Sequence, residues 1–458
     1  LLLLIRIRVG QSGAAVCLQG AESILPQHIS GQKEGIVMSE ITKMLAGHSI
    51  PKVAKVRQTF NNDVLEDVEG TLLRGLEESC APIKPGARIA ITCGSRGIDQ
   101  YVLLIKTVVA FVKSKGGQPI LIPSMGSHGG ATAEGQTEVL RRYGITEESV
   151  GAPVVSSMEV KEIGRTPKGL PVYIDKNACE ADGIILVNRV KPHTSFRGRH
   201  ESGLLKMLAI GLAKQKGAEM THFLRFENMA ENIIAVGSIG VEKLNILCGV
   251  CTVENGYGHV AELHVLRREE ILTKEPEYLQ AAWKRMPRIA LDTIDLLVVN
   301  EIGKEISGTG MDTNIIGRFH TQAASGGPET IKLGVLNVTE KSEGNANGMG
   351  LADFMPKHMY DDVDFEAVYV NTLTSTEPNS SRMPMVLAND REVFQAGVKL
   401  CGQINEDDVR LVIIRSTKYL DEVYMSEAAV KAAVMPVEVV SDYQEVPFDE
   451  NGNLTLFR

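Results

Sequence analysis

Short apolar runs alternate with stretches of helical period along most of this chain, and glycine-rich turns punctuate the joins. Arg88–Cys93 (RIAITC), residues 119–123 (PILIP), 183–188 (GIILVN) and 245–251 (NILCGVC) are short and nearly all apolar, as strands buried on both faces are. Between them, residues 99–115, 132–143 and 202–214 carry apolar residues at helical spacing. Gly116-Gly117 and Gly144 stand where the first two helices should stop, and Thr132 where the second should be capped. Strands alternating with helices predict an α/β fold with largely parallel sheets and helices on both faces. Residues 269–284 form a further helical stretch, and Ile294 then opens a second α/β unit. Its predicted strands are residues 294–300, 331–338, 366–370 and 410–414. The pattern therefore divides into an N-terminal domain over residues 38–287 and a C-terminal α/β domain over 288–458, with the active site expected in the cleft between them. Residues 1–37 hold no sustained period and are read as a non-native or disordered extension, with Met38 the natural initiator.

Composition narrows this picture. The chain has 458 residues, 43% hydrophobic and 23% charged, enough for two domains with ordinary cores. A net charge of −9 opposes a nucleic-acid partner, which would show a basic footprint. No apolar run reaches the eighteen or so residues that a membrane span needs, so no membrane is expected as a partner. The seven cysteines (Cys17, Cys80, Cys93, Cys179, Cys248, Cys251, Cys401) are odd in number and scattered, which fits a reducing, cytoplasmic setting better than a disulfide scaffold. Cys248 and Cys251 fall within one strand pattern, and extended geometry turns their side chains to opposite faces, against a metal clamp.

The chemistry gathers where strands end. RIAITC runs into Gly94-Ser95-Arg96-Gly97, PILIP into Ser124-Met-Gly-Ser-His128-Gly-Gly130, and GIILVN into Arg189-Val-Lys-Pro-His193-Thr194. In open α/β sheets ligands bind at the carboxyl edges of the strands. Parallel strands would bring Arg96, His128 and His193 to one such edge. Two imidazoles can supply acid and base near neutrality, and a guanidinium is the preferred clamp for a carboxylate. Taken singly, each histidine also fits an ordinary hydrogen-bonded turn. Further on, Lys206 lies between Leu205 and Met207 in a mostly apolar stretch, either reaching for solvent or functional. An apolar setting would lower its pKa and sharpen its amine as a nucleophile. His222 follows sixteen positions later, beyond the expected helix end at Gly217.

This arrangement resembles the N-terminal domain of the nickel-pincer lactate racemase superfamily. That resemblance implies Lys206 as the lysine anchoring a nickel-pincer nucleotide, His222 as its nickel ligand, His128 and His193 as the two catalytic bases, and Arg96 as the clamp for substrate or cofactor. It covers residues 45–260 best. Residues 193–206 hold about three more positions than in lactate racemases, Cys93 stands where those enzymes carry an acidic residue, and Gly310-Met-Asp-Thr-Asn314 matches the family's C-terminal turn only loosely. The substrate is therefore expected to be a small hydroxy acid other than lactate, with Arg318, Lys304 or His320 as replacement anion contacts. The implied activity is racemisation or epimerisation of a 2-hydroxy acid or sugar acid by hydride transfer to the cofactor. A dehydratase or redox isomerase on the same scaffold, or a non-catalytic nickel-cofactor carrier, are the alternatives, and a homo-oligomer is left open. His200 has no assigned role.

Overall fold

A computed structural model of the protein describes residues 39–95, 97–222 and 225–457. The extension over residues 1–37, Met38 and Arg96 lie outside the described residues. In chain order the strands are β1 (Val53–Gln58), β2 (Arg88–Cys93), β3 (Gln118–Pro123), β4 (Val160–Arg165), β5 (Pro171–Asp175), β6 (Gly183–Arg189), β7 (Ile246–Glu254) and β8 (Val260–Leu266). They continue as β9 (Thr293–Ile302), β10 (Glu329–Val338), β11 (Phe354–Pro356), β12 (Met385–Leu387), β13 (Leu411–Ile414), β14 (Glu422–Ser426) and β15 (Val437–Val439).

Two mixed, largely parallel sheets organise the fold, as an α/β pattern requires. The first has the order β3-β2-β6-β7-β8, with only β8 antiparallel to its neighbour. The second has the order β12-β11-β10-β9-β13-β14-β1-β15, parallel from β12 to β13 and antiparallel beyond. β4 and β5 form a separate antiparallel pair.

Alternation along each strand divides the core. Ile89 and Ile91 of β2 pack with helices Val68–Ser79 and Tyr101–Ser114 on one face, while Ala90 faces the opposite layer with Leu205, Leu208 and Ile233. Cys248 and Cys251 belong to these two opposite layers, as the strand geometry requires. In the second sheet Leu297 and Val299 face one core, and Leu296 and Val298 the other.

Three local expectations change. First, residues 366–370 lie in a helix, Phe365–Ser375, and not in a strand; the Asp364 carboxylate accepts from the Ala367 amide and sets the helix start. Second, residues 202–214 are not one helix. A single turn over Leu204–Lys206 passes into a π-helical turn over Met207–Gly211, and a new helix runs from Lys214 to His222, so Gly217 lies inside it. Lys214 adopts φ +55°, which breaks the run. Third, β1 comes from the first residues described yet pairs with β14 and β15, so the second sheet draws on both ends of the chain and a split at residue 287 does not separate the sheets. The helical stretch expected over residues 269–284 is helix Ile271–Arg285, which packs on the first sheet with Ile271 and Leu279 in its core. Among the described residues no helix is long and apolar enough to cross a membrane.

Candidate functional site

Because β2, β3 and β6 are parallel, the turns that follow them meet at one edge of the first sheet, as the sequence pattern expects. The carboxyl ends of β9 and β10 present residues 303–310 and 339–347. A cavity of about 1170 Å³ is lined by turns of both sheets, and His128, His193, Lys206 and His222 all border it. Ser95 also borders it, one position before Arg96. The second half of the chain contributes Lys304, Thr309, His320, Asn345 and Asn347.

The turn that carries His128 is tightly folded. Gly129 sits at φ +68°, and a Cβ there would lie 2.5 Å from the Gly135 carbonyl carbon, so only glycine fits. Thr132 caps the following helix by accepting from the Gly135 amide at 3.0 Å. His128 Nδ1 faces the Met125 carbonyl at 2.7 Å. A carbonyl can only accept, so Nδ1 carries the proton and Nε2 is left with a lone pair.

The underside of this turn rests on a buried polar network. Gln136 donates to the carbonyls of Gly126 at 2.8 Å and His128 at 3.3 Å. Lys214 in turn donates to Gln136 at 2.9 Å and to the Pro123 carbonyl, and pairs with Asp175 at 3.2 Å. Lys214 and Asp175 are both fully buried. Burial pushes the Lys214 pKa down and the Asp175 pKa up. The break at Lys214 thus ties the base of the His128 turn to the segment carrying Lys206 and His222. The apolar setting that singled out Lys206 in the sequence applies still more to Lys214.

His193 sits in a loop whose ends are pinned by paired backbone hydrogen bonds between Lys191 and Ser202. The buried Glu201 carboxylate accepts from the His193 and Gly198 amides at 2.6 and 3.3 Å. The Ser195 amide donates to His193 Nδ1 at 3.0 Å. Here Nδ1 is the acceptor, so the proton of the neutral ring lies on Nε2. Burial, and then the Lys206 ammonium, hold the His193 pKa well below the ordinary histidine range. The ring therefore stays neutral at physiological pH.

His222 ends the helix Lys214–His222. Its Nδ1 donates to the Ala218 carbonyl at 2.7 Å, which leaves the Nε2 lone pair available. That is the orientation in which metal-binding histidines are usually held. Burial lowers its pKa too, against the pull of the Ala218 bond. Among the described residues no three His, Cys, Asp or Glu side chains are grouped to hold a metal ion alone.

Other sequence candidates sort clearly. Arg318 is spent on structure: its guanidinium donates to the carbonyls of Thr330, Ile331 and Leu351 and pairs with Asp353 at 2.7 Å. Lys304 and His320 do border the cavity. The glycine-rich loop around residues 344–350 reaches it through Asn345 and Asn347. The turn after β7 does not: Asn255 closes it internally by accepting from the Tyr257 and His259 amides. His200 is buried against the start of helix Ile271–Arg285, away from the cavity, with its ring towards the backbone of Ile271 and Leu272 and its pKa pushed down to about 4 by burial.

Fold and cavity together define an α/β protein with a cavity at the carboxyl ends of strands from both sheets. More specifically, residues 81–233 match the family model of the lactate racemase N-terminal domain, and through that domain the chain is lactate racemase-like. The matched stretch holds β2, β3 and β6 together with His128, His193, Lys206 and His222. Among solved structures, the lactate racemase apoprotein from Thermoanaerobacterium thermosaccharolyticum is similar, at 14% identity and a TM-score of 0.38, over 79% of this chain and 84% of that one. Comparison with curated proteins gives no match.

Proposed function

We propose that this protein is an isomerase, a racemase or epimerase of a 2-hydroxy acid or sugar acid, working in the cavity between the two sheets. The observation that carries the reading is the meeting of His128, His193, Lys206 and His222 in one cavity, within a lactate racemase N-terminal domain. The residues fit a nickel-pincer nucleotide. Lys206 would anchor it and the Nε2 lone pair of His222 would bind its nickel. A single oriented imidazole, with no group of three metal-ligating side chains among the described residues, suits a metal group that brings its own donor atoms. The cavity exceeds the roughly 300–1,000 Å³ of ordinary ligand pockets and has room for a nucleotide and a small acid together.

When bound, that group would supply a reversible hydride acceptor for the carbon bearing the hydroxyl. The chain's own residues do the rest. His128 receives the hydroxyl proton at Nε2. His193 would face the same oxygen with its Nε2–H and stabilise the carbonyl-like state by hydrogen bonding, and the protonated His128 would return the proton to the alkoxide. Arg96, one position after the cavity-lining Ser95, would clamp the phosphate of the cofactor. Cover from the second half of the chain keeps water from the reacting carbon.

One observation favours the second reading. His128 and His193 are held in opposite tautomers by backbone groups. Racemisation in both directions asks each ring to accept and donate in turn, whereas redox isomerisation or dehydration of a sugar acid can run with one acceptor and one donor. Chiral chromatography of a panel of hydroxy acids and aldonates, which separates epimers from dehydrated or redox-isomerised products, with His128→Ala and His193→Ala beside the wild type, tests both readings. Each variant is expected to lose turnover and keep its nickel. Full turnover in both variants overturns the two-histidine mechanism.

A further inference from the structure

His320 is a fourth imidazole on the same cavity, supplied by the second half of the chain. Its side chain is almost wholly enclosed, at 4% exposure, and its Nδ1 is buried with no partner. An enclosed N–H without an acceptor costs more than a lone pair without a donor, so the ring's proton belongs on Nε2, where the ring meets the cavity. Ring and backbone are each held by a neighbour. Phe226 packs edge-on against it, at 6.0 Å and 88°, and Asn379 donates to the His320 carbonyl at 2.8 Å.

Its place relative to His193 is also fixed. The Thr321 hydroxyl donates to the Ser195 carbonyl, and the Ala323 carbonyl accepts from the Arg197 amide at 2.9 Å. The segment bearing His320 thus grips the loop bearing His193. Lys304 borders the cavity as well, and its charge adds to burial in holding the His320 pKa down to about 4, so the ring is neutral.

The tautomer decides what such a ring can do. His222 gives its Nδ1 proton to a carbonyl and offers a lone pair, as a metal ligand must. His320 has no acceptor at Nδ1 and offers an N–H instead. The geometry points to His320 as a substrate-binding residue that donates Nε2–H to the carboxylate of the acid, with the Lys304 ammonium beside it. This inference rests on the hydroxy-acid reading above, and it assigns the carboxylate end of the substrate to the second half of the chain.

The test is calorimetric titration with oxamate, an unreactive 2-oxo monocarboxylate, into the protein as purified with its nickel. His320→Phe is expected to weaken oxamate binding at least about tenfold, the size of one lost hydrogen bond to a charged group. His320→Gln keeps an amide donor and is expected to stay within about threefold of wild type. Nickel content should be the same in all three. Where the larger ring does not fold, His320→Met takes its place. Unchanged affinity in the apolar variant overturns the assignment, as does loss of nickel in either variant or absence of oxamate binding to wild type. The two-histidine mechanism fails on a different result, full turnover in the His128 and His193 variants, so the two failures are distinguishable.

Discussion

His128 and His193 differ in what their Nδ1 atoms meet, a carbonyl in one case and an amide in the other. That single difference makes one ring an acceptor and the other a donor at Nε2. Glutamine in place of each should separate the two roles, because an amide nitrogen can donate but takes up no proton near neutrality. His193→Gln is expected to retain clearly more turnover than His193→Ala, while His128→Gln and His128→Ala should both lose about 10²–10⁴-fold, the usual worth of a general base. Steady-state rates on one reactive acid decide this, and equal losses in the two glutamine variants would remove the distinction. His222→Ala should lose nickel, measured by metal analysis, where His128→Ala keeps it.

His128 and His193 were legible on one cavity because each follows a strand of the same parallel set, whereas Lys206 and His222 were picked out through the family resemblance. What each nitrogen presents was not legible, since it depends on backbone groups two to four residues away that only the folded turn brings into line.

At the scale of elements, the segment over residues 202–222 shows where periodicity stops being informative. Apolar spacing reads as one helix, yet the chain makes a π turn and restarts at Lys214. The cause is tertiary: Lys214 must reach Asp175, Gln136 and the Pro123 carbonyl, none of them near in sequence. Removing one member of a buried charge pair strands the other, so Lys214→Met should cost about 3–5 kcal/mol, and Lys214→Met with Asp175→Leu should recover much of it. Urea unfolding of the two variants measures both.

The start of the same segment is capped from outside. Glu275 accepts from the amides of Leu204 and Leu205, is almost fully buried, and has its pKa pushed up to about 7 by that burial. A carboxyl whose folded pKa lies above its unfolded value of 4.5 contributes stability that is present below pH 4.5 and is lost as pH rises through about 7. His193, His222 and His320 have lowered values, so their contribution has the opposite sign and is lost as pH falls below 6.5. Comparing Glu275→Gln with wild type cancels the histidines. Thermal unfolding should show the variant gaining on wild type between pH 5 and pH 8 by up to about 3 kcal/mol. A constant difference across that range would count against a proton on Glu275.

Over the whole molecule, the two halves are joined more closely than a linker between domains implies. The chain lays β1 into the second sheet, builds the first, and returns, a pairing of residues more than 360 positions apart that no local pattern announces. Where the halves meet, Arg197 is the central side chain. Its guanidinium stacks on Trp283 at 4.9 Å and Phe319 at 5.2 Å, and donates to the His193 carbonyl at 2.7 Å and the Ser325 carbonyl at 2.8 Å. It also donates to the Asn314 side chain. Arg197 therefore positions the His193 loop against the second half without bordering the cavity. Arg197→Ala should leave nickel in place but lower turnover about 10–100-fold, in line with the loss from small misplacements of a reacting group. Arg197→Lys keeps the charge but not the planar fork, and should recover only part of the loss. Trp283 is the chain's single tryptophan, so its emission reports on this contact directly. A changed emission together with lowered turnover at constant nickel is the expected result; unchanged emission with full turnover would mean that the halves hold the His193 loop without Arg197.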